Sequence, residues 1–414
     1  MKALSLYTGA GGLDLGLERS GLEIAGCVEF DQDARLTLEA NRPNWKLLTP
    51  GDIHSHRPGD IVSAFNLSRE NPTALVGGPP CQPFSKSGQW RNGRPPRMTD
   101  PRAATLRAYL KVMEALLPEI MLIENVEGML TRRTRQNQHY EGLDVLRAEL
   151  GRINRRQGTR YEPISMVLDA ADFGVPQHRR RVFVVASRDG LAFEPPAPSH
   201  GGQALNGSKP KQRLTNAWDA LHDLDDPDFD AALLPSGKWA ALLPSIPEGH
   251  NYLHHTSRGD GEPIFGWRTR YWSFLLKLAK NRPSWTIQAQ AGSATGPFHW
   301  RSRRLSLREL ARLQCFPDDW QISGSATSAR RQVGNAVPPP LGQVLGCEIR
   351  RQIFGERPRR KQSLAPQPRD DLPSPQPVEP VPEHYLAGLG AVKDHPGPGQ
   401  GPGAVSRRKS SAVA

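Results

Sequence analysis

Cys81 stands in the run Gly77-Gly78-Pro79-Pro80-Cys81-Gln82-Pro83-Phe84-Ser85, directly after a short apolar stretch. An isolated cysteine is more often a small core residue than a reactive one. Here two glycines and two prolines form a stiff loop that can present a thiol at the edge of a sheet, where it can act as a thiolate nucleophile. Glu124-Asn125-Val126 follows another apolar run. A carboxylic acid beside a thiol suits attack on an electron-poor heterocycle: sulfur adds to one ring carbon while the acid hydrogen-bonds or protonates a ring nitrogen. Taken alone, Glu124 is equally an acid stabilised at a helix N-terminus.

Two further segments carry chemistry. Tyr7-Thr8-Gly9-Ala10-Gly11-Gly12 links an apolar run to a helical one, and its glycines permit a tight turn with close backbone approach of a ligand. A tight turn with no ligand explains that segment as well. Glu29 and Asp52 come later, each placed as if at a strand end, where an acid can hold a ribose or simply be a solvated charge. Gln177-His178-Arg179-Arg180-Arg181 precedes a strongly apolar strand. Alternation puts Gln177, Arg179 and Arg181 on one face, a row suited to phosphates or a base edge. His178 has no metal-ligand spacing and receives no role.

The elements that must position these groups follow from periodicity. Residues 3–7, 24–29, 74–76, 120–123 and 181–185 read as buried strands, and residues 13–20 and 103–117 as helices. Their alternation predicts a doubly wound α/β sheet. Asp52 is read as closing a third strand. From about residue 189 to 283 the sequence is rich in Pro, Gly and Trp with poor periodicity, and a second, smaller domain is expected there. Helices return at 306–315 and 341–353. The expected organisation is a catalytic, cofactor-binding domain over 1–188 completed by 325–354, and a smaller region over 189–324 whose variable part is about 190–284. Residues 355–414, low in apolar density, are expected to form a disordered tail.

Composition narrows the class. With 54 Lys and Arg against 42 Asp and Glu, the 414-residue chain carries a net charge of +12, which makes a polyanion a plausible partner. The four cysteines form no Cys-x-x-Cys pair, which argues against a zinc site or disulfide framework and for a reduced, cytoplasmic setting. Neither a signal peptide nor a membrane-length apolar stretch is present, so a soluble protein is expected.

In order along the chain, these segments resemble the motifs of the DNA cytosine-5 methyltransferase family. Two more follow after the variable stretch: residues 304–317, beginning Arg304-Leu305-Ser306, and Gln332-Val333-Gly334-Asn335-Ala336-Val337-Pro338-Pro339. The resemblance runs from the first residues to about 353, and by it the region 189–324, with its variable part at about 190–284, would be the target-recognition region. Tyr7 stands where the family usually has Phe, which keeps an aromatic face.

The resemblance implies a Rossmann-like methyltransferase fold that uses S-adenosylmethionine, with S-adenosylhomocysteine as product and no metal. The cofactor would lie against Tyr7, Gly9, Ala10, Gly11 and Gly12, with Glu29 on the ribose and Asp52 on the adenine. Phe30, Ile53, Pro80, Asn335 and Ala336 would complete its site. A cytosine flipped out of duplex DNA would receive Cys81 at carbon 6 while Glu124 engages nitrogen 3. Arg181 would hold the cytosine oxygen and Glu124, with Arg179 nearer the DNA backbone. Ser85, Gln177 and the arginines Arg91, Arg94 and Arg97 of the loop 87–102 would contact DNA. The early start of the motifs leads us to expect a bacterial restriction-modification or orphan enzyme, a monomer, with any cognate restriction endonuclease acting on the same site without a stable complex. The alternatives are a transfer-RNA methyltransferase of the same family and a catalytically silent DNA-binding protein.

Overall fold

The computed structural model describes residues 1–71, 73–80, 104–130, 133–135, 138–140, 142–201, 212–358, 361–387, 389 and 393–396. The first half alternates strands and helices: β1 (Lys2–Leu6), α1 (Gly12–Ser20), β2 (Glu23–Val28), α2 (Gln32–Asn41), α3 (Pro58–Ala64), β3 (Thr73–Gly77), α4 (Ala104–Leu116) and β4 (Ile120–Asn125). A small hairpin, β5 (Arg133–Arg135) and β6 (Gln138–Tyr140), precedes α5 (Gly142–Gln157), β7 (Ile164–Asp169) and β8 (Arg180–Ser187).

The main sheet has the order β2-β1-β3-β4-β8-β7. Strands β1 to β4 run parallel, whereas β8 is antiparallel to both β4 and β7, so the sheet is mixed. Alternate residues serve opposite faces. Leu4, Leu6, Leu75, Met121 and Ile123 join one apolar layer with α4, while Ala3, Ala74, Val76, Ile120 and Leu122 join the other with α1. Burial on both faces accounts for the nearly continuous apolar strands.

Registry decides where the site forms. Leu6 pairs with Gly77 and Gly77 with Ile123, so the turns after β1, β3 and β4 emerge at one edge. Because β8 is antiparallel, its beginning reaches that same edge: Phe183 lies opposite Glu124 and Val182 opposite Asn125.

Beyond β8 regular structure is sparse. A short helix, α6 (Ala217–Leu221), and several 3-10 turns are followed by α7 (Leu307–Leu313), α8 (Ala326–Asn335) and α9 (Pro339–Gln352). Ser306 and Glu309 form a capping box on α7. The return of α9 onto α1 depends on small residues: a Cβ on Gly16 would lie 2.3 Å from the Pro339 carbonyl oxygen. Among the described residues, no helix is long and apolar enough to cross a membrane.

Two expectations need correction. No strand precedes Asp52; residues 42–51 are irregular apart from a single bridge of Leu47 to Cys27, and Asp52 instead caps the 3-10 turn Ile53–Ser55. The tail is not structureless over residues 361–387. It runs as an extended strap across the molecule, and α10 (Glu383–Leu386) lies near its end. Its backbone amides at Arg369 and Gln376 donate to Asp219 and Glu248, each at 2.8 Å. Tyr385 is buried, stacks on Trp239 with centroids 5.6 Å apart, and donates to the Lys238 carbonyl at 2.7 Å. Low apolar density hid this because prolines restrict φ in the free chain, so few anchors suffice to offset the ordering cost. Residues 397–414 lie outside the described residues.

Candidate active site

The turn after β1 is built from left-handed backbone: Tyr7 and Gly9 each have φ 59°, and Gly11 has φ 77°. The Tyr7 hydroxyl donates to the Thr105 carbonyl at 2.8 Å, tying the ring to α4, and burial pushes its pKa up. Gly9 N–H donates to Glu29 Oε2 and Asp31 N–H to Glu29 Oε1, both at 2.7 Å. Burial raises the Glu29 pKa even against those two hydrogen bonds. Asp52 accepts the His54 N–H at 2.9 Å.

At the neighbouring strand ends, Arg181 Nε lies 3.0 Å from Glu124 Oε1, with both side chains largely buried. Asn125 Nδ2 donates to the Pro79 carbonyl at 3.3 Å, fastening the Pro-Pro loop to the end of β4. A Cβ on Gly78 would stand only 3.2 Å from Glu124 Oε2, so the glycine lets that loop lie close over the carboxylate. Arg179 is 1% exposed. Its Nη2 donates to the Gly334 carbonyl at 2.9 Å, while its Nε and Nη1 have no hydrogen-bond partner among the described residues. Desolvation lowers its pKa well below the usual arginine value.

These groups surround one cavity of about 740 Å³. Tyr7, Gly9, Ala10, Gly12, Glu29 and Phe30 line one side, with Asp52 and Ile53 beside them. Pro80, Glu124, Arg179 and Arg181 line another part, and Asn335 and Ala336 arrive from the end of α8. Phe30 is 75% exposed, an aromatic face left open beside the acids.

Three expectations are revised by this placement. Gly11 does not line the cavity; a Cβ there would meet Leu38 Cδ2 at 2.8 Å, so this glycine serves the packing of α1 against α2. Gln177 is fully buried, 0% exposed, and cannot face DNA in this arrangement. It donates to the Leu313 carbonyl at 3.2 Å and to Gln314 Oε1 at 2.9 Å, and accepts from Ile287 N–H at 3.0 Å. Arg179 points inward rather than toward a DNA backbone. Cys81, Ser85, Arg91, Arg94 and Arg97, with the whole loop 87–102, lie outside the described residues.

Sequence reading missed several groups. Asp14 and Ser5 also line the cavity, and burial pushes the Asp14 carboxyl up to about 7. An acid interrupting Leu13, Leu15 and Leu17 was the available signal. Arg331 and Gln332 line the cavity too, with Arg331 Nη2 2.6 Å from Asp31 Oδ2; no local pattern announces contacts made by the returning chain. His178 Nδ1 sits 3.0 Å from Asp169 Oδ2, and that hydrogen bond raises the His178 pKa.

A Rossmann-like sheet whose strand ends gather acids, a glycine turn and a carboxylate-arginine pair around one deep cavity is the arrangement of an enzyme that binds a nucleoside-bearing cofactor. A model of the C-5 cytosine-specific DNA methylase family matches residues 1–351. The chain belongs to that family and is a DNA (cytosine-5) methyltransferase, transferring a methyl group to carbon 5 of cytosine in DNA. It is 39% identical over 378 residues to the Type II methyltransferase M.SacI of Streptomyces achromogenes, covering 85% of this chain and 93% of that protein. To the Type II methyltransferase M.NgoFVII of Neisseria gonorrhoeae it is 32% identical over 343 residues, covering 82% and 83%. The solved structure of the S. pombe Dnmt2 methyltransferase superposes with a TM-score of 0.53 at 16% identity, covering 86% of this chain and 99% of that one, a likeness of fold alone.

Proposed function

We propose that the chain methylates a cytosine flipped out of a specific duplex DNA sequence, through a covalent bond from Cys81 to carbon 6, and so protects host DNA in a restriction-modification system. The observation that carries this reading is the Glu124–Arg181 pair at 3.0 Å, set beneath the Pro79-Pro80 loop that leads directly into Cys81. A cytosine placed there meets a hydrogen-bonding acid, a cation and the expected nucleophile together.

The cavity also fits S-adenosylmethionine. Phe30 and Ile53 offer an apolar shelf for an adenine, Glu29 and Asp52 offer carboxylates to a ribose and an amino group, and Ala10 and Gly12 lie at the N-terminal end of α1, where backbone amides suit a carboxylate. When bound, the cofactor supplies an electrophilic methyl group. The protein's own part is to raise the nucleophilicity of carbon 5. The Cys81 thiolate forms the bond to carbon 6, Glu124 holds or protonates nitrogen 3, and Arg181 keeps Glu124 oriented and donates to the cytosine carbonyl oxygen. After methyl transfer, loss of the carbon-5 proton re-forms the double bond and expels the Cys81 thiolate.

Duplex DNA containing 5-fluorocytosine tests this, because carbon 5 then has no proton to lose and the adduct persists. A denaturation-resistant complex that requires the cofactor and disappears in Cys81→Ser is expected. An adduct retained by Cys81→Ser, or methylation of transfer RNA with none of duplex DNA, would overturn the reading. Bisulfite sequencing of genomic DNA from expressing cells should show one fully methylated sequence context, as host protection demands.

A further inference from the structure

In the irregular region after β8, one turn combines a held backbone with bare side chains. Buried Tyr252 brackets Arg270: its hydroxyl donates to the Arg270 carbonyl at 3.0 Å and accepts from the Arg270 N–H at 3.3 Å. Buried Asn251 donates to the Trp272 carbonyl at 2.7 Å, and Thr269 Oγ1 donates to the Gly266 carbonyl at 2.8 Å. Arg268 holds φ 58°, left-handed backbone that is costly for a residue with a Cβ and persists only where surroundings impose it.

The side chains on this rigid turn face water. Tyr271 is 83% and Trp272 54% exposed, and Arg268 and Arg270 are exposed as well. Neither arginine forms a salt bridge among the described residues; Arg268 lies 5.7 Å from the Trp267 ring and Arg270 5.5 Å from the Phe274 ring. Two guanidinium groups without a carboxylate partner among the described residues, beside two exposed aromatics, leave hydrogen-bond donors and ring faces open to a ligand.

A chain of ring contacts links the patch to the segment that leads into the cavity wall. Trp272 meets Trp285 edge-on at 5.7 Å, and Trp285 lies 6.3 Å from His178, the residue before Arg179 at the cavity wall. A duplex delivering a base into the cavity therefore has this turn on its flank.

We infer that residues 268–272 are the sequence-reading edge of the enzyme, with Arg268 and Arg270 donating to guanine O6 and N7 in the major groove and Tyr271 and Trp272 packing on the adjoining base pair. The planar guanidinium fork matches the two guanine acceptors, and a backbone fixed beforehand lowers the ordering cost of binding. The inference rests on the proposed DNA methylation.

The test is methylation of a randomised duplex library, read by bisulfite sequencing, for the wild-type chain and for Arg268→Ala, Arg268→Lys, Arg270→Ala, Arg270→Lys and Tyr271→Ala. Each arginine variant, including the charge-keeping lysine, should lose preference at one guanine position by on the order of tenfold to a hundredfold. Cofactor affinity and melting temperature should stay near wild type, which separates reading from folding. A uniform loss across all sequences with a shallower salt dependence, rescued by lysine, would show phosphate contacts and overturn the inference, as would unchanged preference at every position. A wild-type chain that methylates no library member defeats the proposed function instead.

Discussion

The sheet lobe and the irregular lobe of this enzyme hold their functional groups in opposite ways. In the sheet lobe, strand registry alone brings Gly77, Glu124 and the start of β8 to one edge, and two apolar layers support them from both faces. In the region after β8, support comes from aromatic clusters and buried polar pairs. Trp239, Tyr252, Phe265 and Phe274 pack edge to face, and Tyr385 of the strap closes over them. Arg303 and Glu309 pair at 2.7 and 2.8 Å with both side chains buried. Catalysis needs one geometry, which a sheet supplies cheaply. Recognition as inferred above needs exposed side chains on a held backbone, and a core of scattered anchors supplies such turns.

That contrast can be broken most sharply in the sheet lobe. Glu124→Gln keeps the shape beside Arg181 but removes the acid, and the methylation rate should fall roughly 10²- to 10⁴-fold with cofactor binding intact. A rate near wild type in single-turnover assays would remove Glu124 from the chemistry.

In the irregular lobe the largest cost should come from Arg303→Ala, which leaves the Glu309 carboxylate buried and takes away the partner of the α7 capping box. About 3–5 kcal/mol of stability should be lost in chemical denaturation. A loss under ~1 kcal/mol would mean that water or His299 compensates.

Tyr385→Ala should cost about 2–4 kcal/mol through the cavity left against Trp239. Hydrogen exchange should quicken over residues 239–275 and stay unchanged in β1 to β4. Equal quickening in both lobes would end the distinction between them.

The smallest effect concerns the seam between the lobes. Pairing with Asp169 raises the His178 pKa in the folded state, so the charged histidine stabilises the protein fully below its ordinary value of 6.5. That contribution is lost as pH rises through the raised value. Since His178 is two-fifths exposed, solvent screening limits the contribution to about 0.5 kcal/mol. Unfolding free energies between pH 6 and 8.5 should fall more with pH in the wild-type chain than in His178→Gln; parallel curves would contradict it.

Much of the sheet lobe was legible in the sequence. Apolar runs bounded by glycine and proline marked β1, β2, β3, β4 and β8, and the helical spacing of 13–20 and 103–117 lies over α1 and α4. The elements read least well were those lacking a strong local pattern, such as the irregular stretch before Asp52. Gln177 shared a periodicity with Arg179 and Arg181, yet it is wholly buried against Gln314. Alternation states which residues share a face and not what that face meets.

By itself the sequence marked five strands of the main sheet, the helices α1 and α4, and Glu124, Glu29 and Arg181 as groups able to do chemistry, because periodicity and residue type act within a few neighbours along the chain. Only the tertiary structure decided that β8 runs antiparallel and so brings Arg181 to Glu124, that Arg331 and Gln332 return to the cavity, and that a proline-rich strap docks across both lobes. These outcomes depend on contacts between residues tens to hundreds of positions apart, whose free energies no local pattern encodes.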